Sequence, residues 1–247
     1  MIRKFFLPFL LSLPFLFFPD ASLAKYKVVS ITGGGAVTGK VSFKGTPPKP
    51  VKYIITKDQH ACGEGQVTRQ EVDAKDGALR GVVVYLDKVK KGKAYPEKIQ
   101  SAVVDQKKCA YVPYLQVVAE GGKVTILNSD DAHHNIHTYE IIGRAKRSMW
   151  NISQPKQRKK VVRRAKVRRS PIVRIECDVH NWMKGFLFVA RNPYYALVND
   201  DGSFEINDVP PGKYSLRAWH PALGVKKKKI TITAGGKKTA AFTFSSK

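Results

Sequence analysis

Three soft metal donors stand close together between Glu176 and Gly185. Cys177, His180 and Met183 carry a thiol, an imidazole and a thioether, with two residues between each donor and the next. Donors of this kind select copper among the first-row metals. The spacing predicts that one loop supplies three ligands to a single copper ion. A trigonal copper site would also need a second histidine from elsewhere in the chain.

A cluster of histidines lies upstream of this donor loop. His133, His134 and His137 fall within five residues, just after an alternating apolar and polar segment that ends at Asn128. Such alternation predicts a half-buried β-strand, which would hold the cluster at its end. The cluster either supplies the missing imidazole or is a solvated loop that contains histidines, and the residues alone leave both readings open.

The first 24 residues predict a secretory signal peptide. Arg3 and Lys4 precede an apolar run from Phe5 to Phe18, and Ser22-Leu23-Ala24 offers small residues for cleavage. This order is typical of an exported protein, and a retained N-terminal anchor is the alternative. We therefore expect a periplasmic location.

Export determines the oxidation state that is expected of the three cysteines. In an oxidising compartment two of them are expected to pair, and Cys177 sits in the donor loop. The sequence therefore predicts a disulfide between Cys62 and Cys109. Two separate buried thiols are the alternative.

The chain is strongly basic. Its 44 Lys and Arg residues exceed its 19 Asp and Glu residues, which gives a formal net charge of +25. Residues 144–169 contain twelve basic residues and no acid. Such a block is either a solvated basic loop or a docking surface for an anionic partner. The candidate docking residues in its dense half are Arg158, Lys159, Lys160, Arg163 and Arg164.

The pattern of short strands and turns predicts an all-β protein of two domains. Hydrophobic residues make up 43% of the chain, enough for a core, and no long amphipathic helix is evident. Residues 25–190 contain both donor motifs, an N-terminal β extension and the basic segment 144–169 as an insertion. Residues 191–247 show short strands with Gly and Pro turns, as in a small β-sandwich. Strands before residue 110 could complete the first domain or form a third.

The two donor motifs together resemble the cupredoxins, most closely those of the amicyanin and plastocyanin type. The resemblance rests on Val124–Asn128, the run His134-Asn135-Ile136-His137 and the Cys177 loop. It implies a Greek-key β-sandwich that holds one type 1 (blue) copper ion. The ligands it implies are His134, Cys177, His180 and Met183. His137 and His133 are less favoured alternatives to His134.

One position departs from that family. Asp178 stands where the family usually has Thr or Ser, whose side chain joins the ligand loop to the Asn after the first His ligand. The departure leaves the link to Asn135 open and places a negative charge near the metal.

The C-terminal part resembles a different family. Residues 192–247 are similar to carboxypeptidase regulatory-like domains, a transthyretin- or immunoglobulin-like sandwich. The similarity rests on Asp201-Gly202, on Val209-Pro210-Pro211-Gly212 and on Trp219. It implies an accessory module without chemistry of its own.

The resemblance to cupredoxins implies a carrier of single electrons. We expect His180 to be the solvent-facing exit for the electron and Trp182 to form an apolar docking patch beside it. The expected partner is an acidic redox protein such as a c-type cytochrome or a dehydrogenase, with an anionic membrane surface as a further possibility. Export argues against nucleic acid. The chain shows no catalytic constellation, so we do not expect an enzyme.

Two other functions fit the same residues. A periplasmic copper carrier or buffer would use the same ligands to move the ion itself. A basic β-sandwich protein that binds polyanions would depend on the net charge alone.

Overall fold

The computed structural model describes residues 26–246, so the expected signal peptide lies outside the described residues. Its regular structure is almost entirely β-strand. The exceptions are a four-residue helix, α1 (Gln59–Cys62), and one turn of 3-10 helix at Glu97–Ile99. The all-β prediction is confirmed. No helix within residues 26–246 has the length and apolar character needed to cross a bilayer.

Most strands are short and are joined by tight turns. In chain order they are β1 (Lys27–Val28), β2 (Gly35–Lys44), β3 (Val51–Ile54), β4 (Gln66–Arg69), β5 (Ala74–Lys75), β6 (Ala78–Leu79), β7 (Val83–Asp87), β8 (Lys91–Gly92), β9 (Ser101–Gln106), β10 (Tyr111–Val112), β11 (Leu115–Ala119), β12 (Lys123–Asn128), β13 (His134–Ile142), β14 (Ala145–Gln154), β15 (Lys160–Arg164), β16 (Ile172–Glu176), β17 (Lys184–Ala190), β18 (Tyr195–Leu197), β19 (Ser203–Val209), β20 (Gly212–His220), β21 (Gly224–Ile232) and β22 (Lys237–Ser245). The strands form two sandwiches and two isolated pairs. The isolated pairs are β1 with β8 and β3 with β4.

The central sandwich contains both donor motifs. One sheet has the strand order β10-β9-β12-β15, and the other has the order β11-β17-β16-β13-β14. Alternate residues of both sheets point inward, and Val104, Ile126, Ile136 and Ile175 share one buried core. Because side chains alternate across a strand, this core leaves the other faces of the sheets for solvent or a neighbour.

The basic segment belongs to this sandwich. The prediction of an insertion over residues 144–169 is wrong, because β14 and β15 are regular strands at the edges of the two sheets. β14 pairs with β13, and β15 pairs antiparallel with β12. Charged side chains on edge strands disfavour pairing with another chain, which is one reason for such a basic composition here.

The second sandwich is split along the chain. One sheet has the order β18-β7-β20-β21, and the other contains β19, β2, β6 and β5, with β22 also beside β2. β2 lies parallel to β22 over the whole range from Ala36 to Lys44, and β7 pairs with β20. The chain does pass from the central sandwich to this one between β17 and β18, close to Arg191, but the prediction that residues 25–190 form one domain is wrong. Of the strands before residue 110, β9 belongs to the central sandwich, whereas β2, β5, β6 and β7 share sheets with the C-terminal strands.

An apolar interface joins the two sandwiches. Tyr85 of β7 meets Phe188 of β17, with ring centroids 4.8 Å apart. Trp219 of β20 meets Phe186 at 5.6 Å. These side chains are buried in one cluster that also contains Val117. Aromatic pairs bury large areas, so this interface stabilises the placement of one sandwich on the other.

A buried carboxylate fixes the chain between the basic segment and β16. Glu140 of β13 has no exposed area, and its Oε2 pairs with Arg147 of β14. Its Oε1 accepts the backbone N–H groups of Arg168, Arg169 and Ser170. Burial raises the pKa of Glu140, but these donors outweigh it and hold the pKa below its usual range. The strand that leads to Cys177 is therefore anchored by this one side chain.

Replacing this carboxylate should destabilise the fold. We expect Glu140→Gln to lower the free energy of unfolding by about 2 kcal/mol, because a charged acceptor of several buried N–H groups is lost. Urea unfolding followed by circular dichroism measures this. Glu120→Gln is the matched control, since Glu120 is 37% exposed and 3.9 Å from Arg191. It should change stability by less than about 0.5 kcal/mol. Equal effects of the two substitutions would contradict the role of Glu140.

Candidate metal centre

His134 is positioned by a turn with its own hydrogen bonds. β12 ends at Asn128, and β13 begins at His134. The buried amide of Asn128 donates to the carbonyl oxygens of Ala132 and Gln154, each at 3.0 Å. Its Oδ1 accepts the N–H of Asp130 at 3.2 Å. These bonds close the turn and place the imidazole at the entry of the second sheet.

The donor loop connects β16 to β17 and closes on itself. The Cys177 N–H donates to the Met183 carbonyl at 3.3 Å, and the Met183 N–H donates to the His180 carbonyl at 3.0 Å. The main chain of Met183 is thus bonded to the other two donor residues. Met183 is 1% exposed and lies in the core cluster that contains Cys177.

The structure brings three of the four expected ligands to one point. The Nδ1 atoms of His134 and His180 are 3.1 Å apart, and the Cys177 Sγ is 3.7 Å from the His180 Nδ1. The ligand atoms of all three residues lie within 4.8 Å of one another. Their exposed fractions are 0%, 0% and 5% for His134, His180 and Cys177. A site with these donors is closed to bulk water.

Each imidazole has a carboxylate on its other nitrogen. The Nε2 of His134 is 2.9 Å from the Asp130 Oδ2, and the Nε2 of His180 is 2.9 Å from the Asp58 Oδ2. An ionised carboxylate can only accept, so each Nε2 donates its N–H, which leaves Nδ1 free to bind a metal. Neither aspartate was expected from the sequence. Asp130 could have been noticed because it lies in the Asn-Ser-Asp-Asp turn before His134, but nothing local marks Asp58.

The arrangement of donors fits a soft metal cation. With both Nε2 atoms donating, two nitrogen lone pairs and one sulfur converge on the same space. Lone pairs so close to each other repel unless a positive charge lies among them. Imidazole and thiolate are ligands that copper accepts.

The pKa values of the metal-free groups show the same preference. Burial raises the pKa of Cys177, but hydrogen bonds from His134 and His180 outweigh it and lower the pKa to about 6. Burial lowers the pKa of His134, but hydrogen bonds with Asp130 and Cys177 outweigh it and raise the pKa to about 9. The site therefore favours a thiolate beside a positive charge, which a proton supplies when no metal does.

The other two candidate histidines lie outside this cluster. His133 is exposed, and its Nε2 is 2.8 Å from the Ser153 hydroxyl. His137 lies on the far side of the ligand loop, where its Nδ1 is 3.2 Å from the Asp178 carboxylate. Of the three clustered histidines, His134 is the one whose ring nitrogen lies with the ligand atoms of Cys177 and His180.

Asp178 retains the link between the two loops. The Asn135 Nδ2 donates to the Asp178 Oδ2 at 2.8 Å, and the Asp178 N–H donates back to the Asn135 Oδ1. Asn151 also donates to that carboxylate at 3.1 Å. Burial raises the pKa of Asp178, but bonds from Asn135, His137 and Asn151 hold it below its usual range. A carboxylate here thus joins the loops and adds negative charge.

The expected electron exit is covered. His180 has no exposed area and Trp182 is 3% exposed, so the prediction of a solvent-facing imidazole with an apolar patch at Trp182 is wrong. The cause is the hairpin formed by β3, α1 and β4, residues 51–69, which carries Asp58 and Cys62. Cys62 and Cys109 form the expected disulfide. The Sγ of Cys62 lies 3.8 Å from the His180 Nε2.

Solved cupredoxin structures are similar to part of this chain. An amicyanin variant in a reduced Cu(I) form is 22% identical over 36% of this chain and 82% of its own, with a TM-score of 0.29. A purple cupredoxin from Nitrosopumilus maritimus is 17% identical over 36% of this chain and 99% of its own, also at 0.29. A plastocyanin variant of fern is 23% identical over 36% and 100%, at 0.30.

A family model matches the C-terminal part. It is described as polysaccharide lyase family 4, domain II, and matches residues 170–240. This range begins before β16 of the central sandwich and ends within β22. The matching family is not the carboxypeptidase regulatory-like domain that the sequence suggested, and this corrects that assignment. Comparison with curated proteins gives no match.

The low pKa of Cys177 is measurable in the metal-free protein. We expect the thiolate absorbance near 240 nm, taken as a difference from Cys177→Ala, to rise with pH through a midpoint of about 6. His134→Ala should move that midpoint upward by about one unit or more, because the donor that stabilises the thiolate is lost. His133→Ala is the matched control and should leave it unchanged. A midpoint near 9 in the unsubstituted protein would contradict this description of the site.

Proposed function

We propose that this protein binds one copper ion at a type 1 site and carries single electrons in the periplasm. The ligands would be His134, Cys177 and His180, with Met183 as a weaker thioether donor. The observation that carries the proposal is the convergence of two Nδ1 atoms and one sulfur in a closed site. Bound copper supplies a one-electron couple between Cu(I) and Cu(II).

The residues around the site favour electron transfer by limiting movement. His134 starts a strand, and the donor loop is closed by its own backbone bonds. Asn135 and Asp178 join the two loops. Donors held by two sheets change position little when the charge of the ion changes, which keeps the reorganisation of the site small.

Burial separates this function from two others. A carrier that delivers copper needs an accessible ion, and a catalyst needs an open position for substrate. Here His134, Cys177, His180 and Met183 are each at most 5% exposed. An electron can cross such a barrier of protein, whereas an ion or a substrate would require the site to open. We therefore favour electron transfer over copper delivery or catalysis.

Absorption spectroscopy tests the copper site. We expect Cu(II) to bind to the exported, oxidised protein with one ion per chain and an intense thiolate-to-copper band. Cys177→Ala and His134→Ala should each abolish that band, because each removes one of the proposed ligands. His133→Ala and His137→Ala are controls that should retain it. Stoichiometric copper uptake without colour, unaffected by Cys177→Ala, would refute the proposal.

The basic surface nearest the centre is the site we propose for an acidic redox partner, such as a c-type cytochrome or a dehydrogenase. Lys159 donates from Nζ to the Asp130 carbonyl at 2.7 Å, and Asp130 holds His134. β15 runs away from this point, since Lys160 pairs with Leu127 and Arg164 with Lys123. The four residue steps from Lys160 to Arg164 span about 13 Å.

We therefore expect the position of a basic residue along β15 to determine how strongly its charge affects docking of the partner. We expect Lys160→Glu to slow electron transfer with an acidic cytochrome several-fold at low salt, and the difference to disappear at high salt. Arg164→Glu makes the same charge change on the same strand and should have a smaller effect. Stopped-flow rates against ionic strength measure both. Identical salt profiles for the two variants would contradict docking at the Lys160 end.

A further inference from the structure

The hairpin of residues 51–69, here called the cover, lies on the candidate metal centre. The strands before and after it, β2 and β5, belong to the other sandwich. Its strands β3 and β4 pair only with each other within the described residues. Ile55 is 5% exposed and packs in the core of the central sandwich, with Cys62 against the same cluster. The disulfide to Cys109 fastens the cover covalently.

Polar contacts hold the cover at both ligand-bearing segments. The His60 Nε2 is 2.9 Å from the Asp131 carbonyl, in the turn before the first histidine ligand. Lys184, which follows the donor loop, has its Nζ 3.3 Å from the Tyr53 hydroxyl. Arg69 donates to the Cys109 carbonyl at 3.3 Å. These contacts fix the position of the cover relative to the two loops that carry the ligands.

Asp58 departs from its local role in order to reach His180. It is the N-cap residue of α1, where an aspartate ordinarily accepts a backbone N–H of the first turn. No such side-chain cap is formed, and the backbone is left-handed, with φ 50° and ψ 41°. This conformation costs free energy for an L-residue, so it persists only where the surrounding structure requires it. The carboxylate instead lies 2.9 Å from the His180 Nε2.

We propose that the cover is part of the metal centre and that Asp58 is a positioning residue which favours Cu(II) over Cu(I). The proposal rests on the proposed copper function. By accepting the Nε2–H of His180, Asp58 turns Nδ1 towards the metal, as Asp130 does for His134. A thiolate and two carboxylates then surround one ion, and this excess of negative charge stabilises the more positive oxidation state.

Substitutions at Asp58 separate orientation from charge. Asparagine keeps an acceptor oxygen for the Nε2–H but removes the charge, whereas alanine removes both. Asp76→Asn is the matched control, because Asp76 is an exposed aspartate that is also left-handed, with φ 52°, and lies in a turn of the split sandwich. Far-UV circular dichroism confirms that each variant is folded.

The first measurement uses the metal-free protein. Ring nitrogen NMR should show the proton of His180 on Nε2 in the unsubstituted protein and in Asp58→Asn. Asp58→Ala should redistribute it between the two nitrogens. An unchanged His180 signal in Asp58→Ala would overturn the positioning role. This result does not depend on copper, so it stands even where the chain fails to form a copper site.

The second measurement compares affinities for Cu(I) and Cu(II). Asp58→Asn should raise the Cu(I)-to-Cu(II) affinity ratio by about ten-fold, the usual scale for a residue behind a metal ligand. For one electron this is about 59 mV in reduction potential. Asp76→Asn should match the unsubstituted protein. Equal ratios for the two variants would overturn the proposal, whereas the absence of a copper–thiolate band would refute the proposed function instead.

A third variant serves if Asp58→Asn does not fold. Replacing Cys62 and Cys109 together by serine releases the cover and leaves Asp58 in the chain. We expect faster solvent exchange of the His180 Nε2–H in the Cu(I) form and a shift of the affinity ratio in the same direction. Fast exchange together with an unchanged ratio would show that the cover does not contribute to the centre.

Discussion

Two imidazole nitrogens face each other across 3.1 Å inside the candidate metal centre, and a sulfur lies beside them. This arrangement is unfavourable without a shared positive charge, so the surrounding structure has to impose it. Two carboxylates do so from outside, because each binds the remote nitrogen of one ring. The turn before His134, the closed donor loop and the cover follow from this requirement, since each delivers one component of the two Asp–His pairs.

The distribution of charge shows how few acids the chain uses and where it places them. A chain with 44 basic and 19 acidic residues has little negative charge to distribute. Asp130 and Asp58 bind the two imidazoles, Asp178 joins the two loops, and Glu140 anchors the strand that leads to Cys177. The exterior is basic in turn, and edge strand β21 exposes Lys226–Lys229. The cationic exterior would attract the proposed acidic partner, while the anionic centre and its ligands stay buried.

The donor loop and its histidine partner could be predicted because their information is local. The spacing of Cys177, His180 and Met183 places all three on one loop. The end of strand β12 at Asn128 marks the turn that leads to His134. Strand pairing is not local. The alternation of β2 shows that one face is buried, but nothing in it shows that its neighbours are β19 and β22. The prediction that residues 25–190 form one domain was wrong for this reason. Asp58 was missed for the same reason, since 122 positions separate it from His180.

The cover changes which surface a partner can use. Were the His180 imidazole at the surface, a flat apolar face around it would be the natural contact. Here the disulfide, Asp58 and His60 occupy that edge. One short connection from a ligand to the basic surface runs from His134 through Asp130 to the basic loop at Lys159. Hydrogen bonds of 2.9 and 2.7 Å make that connection continuous. The covered imidazole and the proposed docking surface are therefore linked: the cover closes the His180 edge of the centre, and the proposed acidic partner would approach from the His134 edge, where Lys159 lies.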